Sequence, residues 1–193
     1  MSFDAKTELK EDPKRALVMA SAMAVVLRYG YQRMTMDDIA KEAGISRPAL
    51  YLVFKNKAEI YRAITEGVLG EALAKSAAEL AGKGTLEERM FGGLRAGILD
   101  PMELLLASTH GAELVDMKHS MAGEMIHHWR IKQSALLMQA IDAGRAKDGP
   151  LTGRQLADIL LDGVEGLKQR TKDMNEIRSG VQALVRLVAQ AAA

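Results

Sequence analysis

Apolar residues recur at helical spacing along the whole chain, and no alternating β-branched run bounded by turn residues occurs. The pattern predicts an all-α protein of about nine helices. A first helix opens at Asp12-Pro13, a carboxylate cap followed by a proline where a missing N–H costs nothing, and closes at Gly30. Its nearly apolar run from Ala16 to Leu27, with Ser21 inside it, is shorter than the roughly 20 residues that span a bilayer, so it reads as buried. Thr35 caps a second helix, with Asp38 at its third position and Met34 placed to staple onto Ile39. Gly44 ends that helix after barely two turns. Ser46 caps a third helix running to about Phe54, with Ile45 stapling onto Leu50, and Asn56 caps a fourth, where Glu59 is expected to complete a capping box.

Beyond Gly70 the punctuation thins. Breaks are expected at Gly82-Lys83-Gly84 and at Asp100-Pro101, and Thr109 to Ala143 reads as one long helix or two. Asp148-Gly149-Pro150 is a loop. After it, Leu156, Ile159, Leu160, Gly163, Val164 and Leu167 form one apolar stripe, and Ile177, Val181, Leu184 and Val188 form a second. The terminal Ala191-Ala192-Ala193 is expected to fray.

Composition sharpens this picture in two ways. The chain has no Cys, so neither a disulfide framework nor a thiolate metal site can be drawn, and the polar, mixed-charge Met1 to Arg15 does not follow the plan of a signal peptide. A cytoplasmic protein is expected. The net charge of +1 hides an asymmetry: residues 1 to 70 hold 11 Lys/Arg against 9 Asp/Glu, and the remainder 15 against 16. Within Gly44 to Arg62 the cations Arg47, Lys55, Lys57 and Arg62 face only Glu59, a local basic patch suited to phosphate.

That patch coincides with two short helices joined by a tight glycine turn, the plan of a helix-turn-helix between Met34 and Phe54. In its second helix Leu50 and Phe54 are expected to face the core, while Arg47, Tyr51 and Lys55 recur on a neighbouring face. Such a stripe by itself is most often only a solvated surface. As a reading face, it offers Arg47 to guanine or phosphate and the Tyr51 hydroxyl to phosphate. Lys57 and Thr35 each stand at a helix start, where free N–H groups favour an anion.

The ungapped run from Thr35 through Gly44-Ile45-Ser46-Arg47-Pro48 and Leu50-Tyr51 to Lys57 resembles the signature of the TetR family of repressors, over roughly residues 12 to 65. The resemblance implies a flexible arm at 1 to 11, a three-helix DNA-binding domain at 12 to 65, and a helical bundle at 66 to 193 for ligand binding and dimerisation. It implies a homodimer on a palindromic DNA operator, a small-molecule effector, no membrane partner, no cofactor and no enzymatic reaction. By position, Thr35, Tyr51 and Lys57 fall on phosphate contacts, and Ser46, Arg47, Pro48 and Leu52 on the groove-facing part of the recognition helix. Leu52 departs from the polar or aromatic residue common there, and offers only apolar contact to a thymine methyl. The two C-terminal stripes take the place of the family's dimer bundle, which assigns Leu156, Leu160, Gly163, Leu167, Ile177, Val181, Leu184 and Val188 to the subunit interface, with Gly163 letting partner backbones approach.

The middle of the chain collects His110, His119, His127 and His128 with a run of methionines and Trp129. Three readings compete. Met at helical spacing is core filler; or Met102, Leu106, Met117, Met121 and Met125 line an apolar pocket with His110 or Glu113 as polar anchor. The third reading takes Glu124 and His127, spaced as in helical di-iron sites, as half of a di-metal centre, for which a second such pair and two further carboxylates are missing.

Overall fold

The computed structural model describes residues 12–110, 122–144 and 150–193. Among them every regular element is helical: α1 (Pro13–Tyr29), α2 (Met36–Glu42), α3 (Arg47–Tyr51), α4 (Lys57–Leu80), α5 (Leu86–Leu94), a π-helical segment (Arg95–Leu99), α6 (Asp100–Leu106), α7 (Gly123–Asp142), α8 (Gly153–Arg170) and α9 (Met174–Ala192). None of these helices is long and apolar enough to cross a membrane.

The helix starts follow from side-chain caps. Asp12 accepts from the Lys14 N–H, and Thr35 and Asp38 close a reciprocal capping box. Ser46 accepts from Ala49, Thr85 and Glu88 form a second box, and Thr152 and Gln155 a third. One expected box is not made. Asn56 accepts from the Glu59 N–H, but the Glu59 carboxylate takes the Lys55 N–H at 2.8 Å, so it ties the turn one residue earlier. The recognition helix is also shorter than expected, ending at Tyr51, with the Phe54 N–H still reaching the Leu50 carbonyl at 3.0 Å.

Asp100-Pro101 does not break the chain's path. Proline lacks an N–H and crowds the carbonyl four residues before it. Here the preceding turn widens, with the Asp100 N–H bonding the Arg95 carbonyl, and α5 runs through the π segment into α6. The expected loop at 148 and 149 and the segment from 111 to 121 lie outside the described residues. The C-terminus is not frayed: α9 runs to Ala192, which is buried.

Two apolar clusters organise the packing. The first gathers Val18, Ala22, Val25, Val26, Met34, Ile39, Leu50, Phe54, Ile60 and Ile64, so α1 to α3 close around the first turns of α4. The second joins the end of α4 to α5 through α9, around Leu94, Leu99, Leu137, Leu160, Ile177 and Val181. The boundary expected at residue 65 falls inside α4, which is continuous across it.

The C-terminal stripes need a correction. Leu156, Leu160, Ile177, Val181 and Val188 are buried within the protomer and fill its own second core, so they are not available to a partner. A Cβ on Gly163 would lie 2.7 Å from Leu184 of the same chain, and one on Gly180 would lie 2.7 Å from Leu167. These reciprocal notches bring α8 and α9 together inside one protomer, whereas Gly163 was expected to admit a partner backbone.

The turn between α2 and α3 has the tightest conformational requirement. The Gly44 N–H bonds the Lys41 carbonyl at 3.2 Å and the Ile45 N–H bonds the Ala40 carbonyl at 3.0 Å, a Schellman closure with Gly44 at φ +65°. No atom lies within 4 Å of where its Cβ would be, so the demand is on the backbone alone. Gly44→Ala is expected to lower stability by about 1 kcal/mol and Gly44→Asn by less, since Asn tolerates this region. Equal melting temperatures for wild type and Gly44→Ala would contradict this account.

Candidate nucleic-acid interface and effector cavity

The Schellman turn sets α3 beside α2 with only four residues between them. Leu50 and Phe54 are buried as expected, and Ser46, Arg47, Pro48, Tyr51, Leu52 and Lys55 are all exposed. Leu52 is 85% exposed, an isolated apolar side chain at the outer end of the recognition helix. Arg15 stands 4.3 Å above the Phe54 ring, bracing the start of α1 on the end of this unit.

The reading face is ordered by its own contacts. Arg47 pairs with Asp37 of α2 at 3.0 Å, and its guanidinium lies 5.6 Å from the Tyr51 ring and 3.5 Å from that hydroxyl. The Tyr51 hydroxyl accepts there, which leaves its own O–H to be donated elsewhere. Asp37 carried no signal in the sequence as part of this site. Both Asp37 and Arg47 are exposed, so the pair is weakly held and open to exchange for a ligand.

Thr35 is exposed and caps α2 as expected, whereas Lys57 is placed differently from expectation. Thr35 donates both its N–H (3.0 Å) and its hydroxyl (2.6 Å) to Asp38, whose carboxyl is held below its ordinary range by those two bonds. The ammonium of Lys57 points inward, donating to the carbonyls of Tyr31 (3.1 Å), Gln32 (3.2 Å) and Met34 (3.1 Å), and lies 4.7 Å from the Tyr31 ring. An ammonium has three donors, and all three have acceptors here. Tyr31 in turn meets Tyr61 edge to face at 5.3 Å. Lys57 therefore clips the α1–α2 turn onto α4. Helical spacing gave no sign of this, because the partners lie more than 20 positions away in sequence.

A cavity of about 400 Å³ opens in the C-terminal part. Its apolar wall comes from Val68, Leu69 and Ala72 of α4, Ile98 and Met102, and Leu161 and Val164 of α8. Trp129 and Arg130 of α7, with Glu165, Lys168, Gln169 and Lys172, complete it. Behind Gly97 of the π segment, fully buried Gln133 donates to Ser76 Oγ at 2.8 Å, linking α7 to α4. Of the side chains expected to line a pocket that fall among the described residues, only Met102 does. Leu106 packs on the second core and His110 and Met125 are not in the lining, while Glu113, Met117 and Met121 lie outside the described residues. His127 and Glu124 are both exposed, and no group of three metal-ligating side chains occurs among the described residues.

Residues 18–64, the first core and its reading face, match the family of bacterial regulatory proteins known as the tetR family. Residues 18–64 are a TetR-family regulatory domain. The Fatty acid metabolism regulator protein of Bacillus subtilis (strain 168) is 23% identical over 146 residues, covering 71% of this chain and 73% of that one. The transcriptional activator FasR of Mycolicibacterium smegmatis is 38% identical over 58 residues, 30% of this chain and 26% of its own. In fold, the chain is similar to SmeT, the repressor of the Stenotrophomonas maltophilia multidrug efflux pump SmeDEF, with a TM-score of 0.64, 20% identity, and 92% and 89% of the two chains covered.

The clip yields a prediction that separates structure from contact. Lys57→Ala strands three backbone carbonyls and is expected to lower stability by about 1–3 kcal/mol. It should weaken binding to DNA without changing the salt dependence, whereas Lys55→Ala should flatten the logarithmic salt slope by about one unit. A flatter slope for Lys57→Ala with an unchanged melting temperature would instead place that ammonium on a phosphate.

Proposed function

We propose that the protein is a ligand-responsive repressor that binds a near-palindromic DNA operator as a homodimer in the cytoplasm and releases it when a small molecule fills the cavity. Residues 12–65 serve as the DNA-binding part and 66–193 as the effector and dimerisation part. The observation that carries this reading is the position of α4: Ile60, Tyr61 and Ile64 belong to the first core, and Val68, Leu69 and Ala72 to the cavity wall. Two recognition helices must lie about one turn of DNA apart, roughly 34 Å, and an occupant that shifts α4 alters that spacing. A coupling of about 1–3 kcal/mol is enough for a useful switch. Repression is the reading taken from SmeT, whose fold this chain shares, and activation, as in FasR, is the alternative that its 38% identity over 58 residues keeps open.

On the DNA, Arg47 exchanges Asp37 for a base or phosphate, Tyr51 and Lys55 meet phosphates, and Ser46, Pro48 and Leu52 lie against the groove. Thr35, exposed at the start of α2, meets a phosphate, and Lys57 acts behind this surface, holding the α1–α2 turn. The partner face is the outer side of α8 and α9, where Gly166 and Leu167 stand beside Ala183 and Leu187 and Ile159 is exposed on α8. Ile159 and Leu187 are exposed in the protomer, and a second copy would cover them.

Selection from a random duplex pool tests the DNA reading: the expected result is an inverted repeat whose affinity falls steeply between low and physiological salt. Enrichment of no sequence would overturn it. For the dimer, Leu187→Asp should give monomers of unchanged helicity by sedimentation and circular dichroism. Val181→Asp, which buries a charge in the protomer's own core, should instead unfold the chain. Wild-type protein that sediments as a monomer at micromolar concentration would refute this face.

A further inference from the structure

The ion pair of Arg47 and Asp37 ties the first turn of α3 to the first turn of α2. Arg47 Nη1 stands 3.0 Å from each oxygen of the Asp37 carboxylate, and Nη2 stands 3.5 Å from the Tyr51 hydroxyl. Both side chains of the pair are more than half exposed, so it holds no core together. Of the three cations from Gly44 to Lys57, Lys57 donates to three backbone carbonyls, which leaves Arg47 and Lys55 on the surface. Asp37 therefore neutralises one of the two cations that this stretch presents to DNA.

What Arg47 gains by leaving Asp37 depends on the new acceptor. A phosphate is another oxyanion, so the exchange trades one exposed ion pair for another of similar strength. It also leaves the Asp37 carboxylate bare, two positions from Thr35, beside the phosphate expected there, which is a like-charge cost. Guanine differs in both respects. Its O6 and N7 accept two parallel N–H bonds from one guanidinium, a contact worth more than one exposed pair, and neither acceptor is an anion. The carboxylate competes evenly with phosphate and loses to guanine.

We propose that Asp37 is a specificity-determining residue of the reading face. It keeps Arg47 neutralised on DNA that offers only phosphates, and yields it where a guanine comes within reach. This rests on the proposal that the face binds an operator, and it narrows the exchange of Asp37 to a base. Non-specific complexes lose the charge of Arg47 while operator complexes recover it, so the ratio of the two affinities rises.

The test uses the full chain, the inverted repeat recovered by selection, and a scrambled duplex of the same length and composition. Asp37→Asn keeps the shape of the side chain and removes its charge. On the scrambled duplex it is expected to tighten binding about tenfold at about 50 mM salt and to steepen the logarithmic salt slope by about one unit, as Arg47 takes up a phosphate. On the inverted repeat the gain should be about twofold, the worth of one exposed pair, with the slope unchanged. Both effects should vanish when Asp37→Asn is made together with Arg47→Gln, which separates an action through Arg47 from the loss of a negative charge as such. Equal tightening on the two duplexes, or the same gain with Arg47→Gln in place, overturns the proposal. Weaker binding of the inverted repeat overturns it as well, since Asp37 would then be orienting Arg47 on the DNA. A wild-type protein that binds neither duplex overturns the reading of this face as a DNA-binding one, so the two failures are distinct.

Discussion

A single helix has to satisfy two cores at once. At 24 residues α4 is about 36 Å long, and its first turns complete the cluster around Leu50 and Phe54 while its last residue, Leu80, joins the cluster around Leu94 and Leu137. No linker separates the two. Leu105 of α6 adds a second connection, packing against the N-terminal cluster from the other side. The reading face therefore has little freedom of its own: its direction is set by where α4 points, and that is set by what α5 to α8 allow. The Gln133–Ser76 bond and the close approach of Gly97, where a Cβ would lie 3.1 Å from Ser76 Cβ, make the middle of α4 a tightly fitted wall of the cavity.

Much of the N-terminal third was legible in the sequence because its signals are local. Thr35 with Asp38, Gly44, and Ser46 each act within four residues, so type and spacing alone place α2, the turn and α3. Leu50 and Phe54 could be assigned inward by periodicity for the same reason. What escaped was non-local. Nothing near Lys57 says that the carbonyls of Tyr31, Gln32 and Met34 will fold back to meet it, and a lysine in the first turn of a helix beside a basic patch has the same local pattern whether it faces a phosphate or its own chain. Asp100-Pro101 misled in the opposite sense, since the local rule for proline is correct and the π turn before it removes its consequence.

The C-terminal part shows the limit of periodicity more sharply. Stripes such as Leu156 to Leu167 state that one face of a helix is apolar, but not whether it is covered by the same chain or by another. Here the strongest positions, Leu160, Ile177 and Val181, lie in the protomer's own core, and the weaker ones around Ile159 and Leu187 are left outside. The cavity was obscured by the same effect. Its wall draws on α4, α7 and α8, more than 90 residues apart in sequence from Val68 to Val164, so a search along one Met-rich segment reached, among the described residues, only Met102.

One further consequence follows from α8. Its Leu161 and Val164 face the cavity, its Leu156 and Leu160 the core, and its Gly163, Gly166 and Leu167 the outer groove, so a single rod presents three different surfaces. In the proposed homodimer, if it is assembled through that groove, α8 would stand between each cavity and the partner subunit. An occupant that displaces α8 in one protomer alters the surface on which the other rests. Filling of the two cavities then ceases to be independent, and the sign of their cooperativity is determined by whether the first displacement opens or narrows the second cavity.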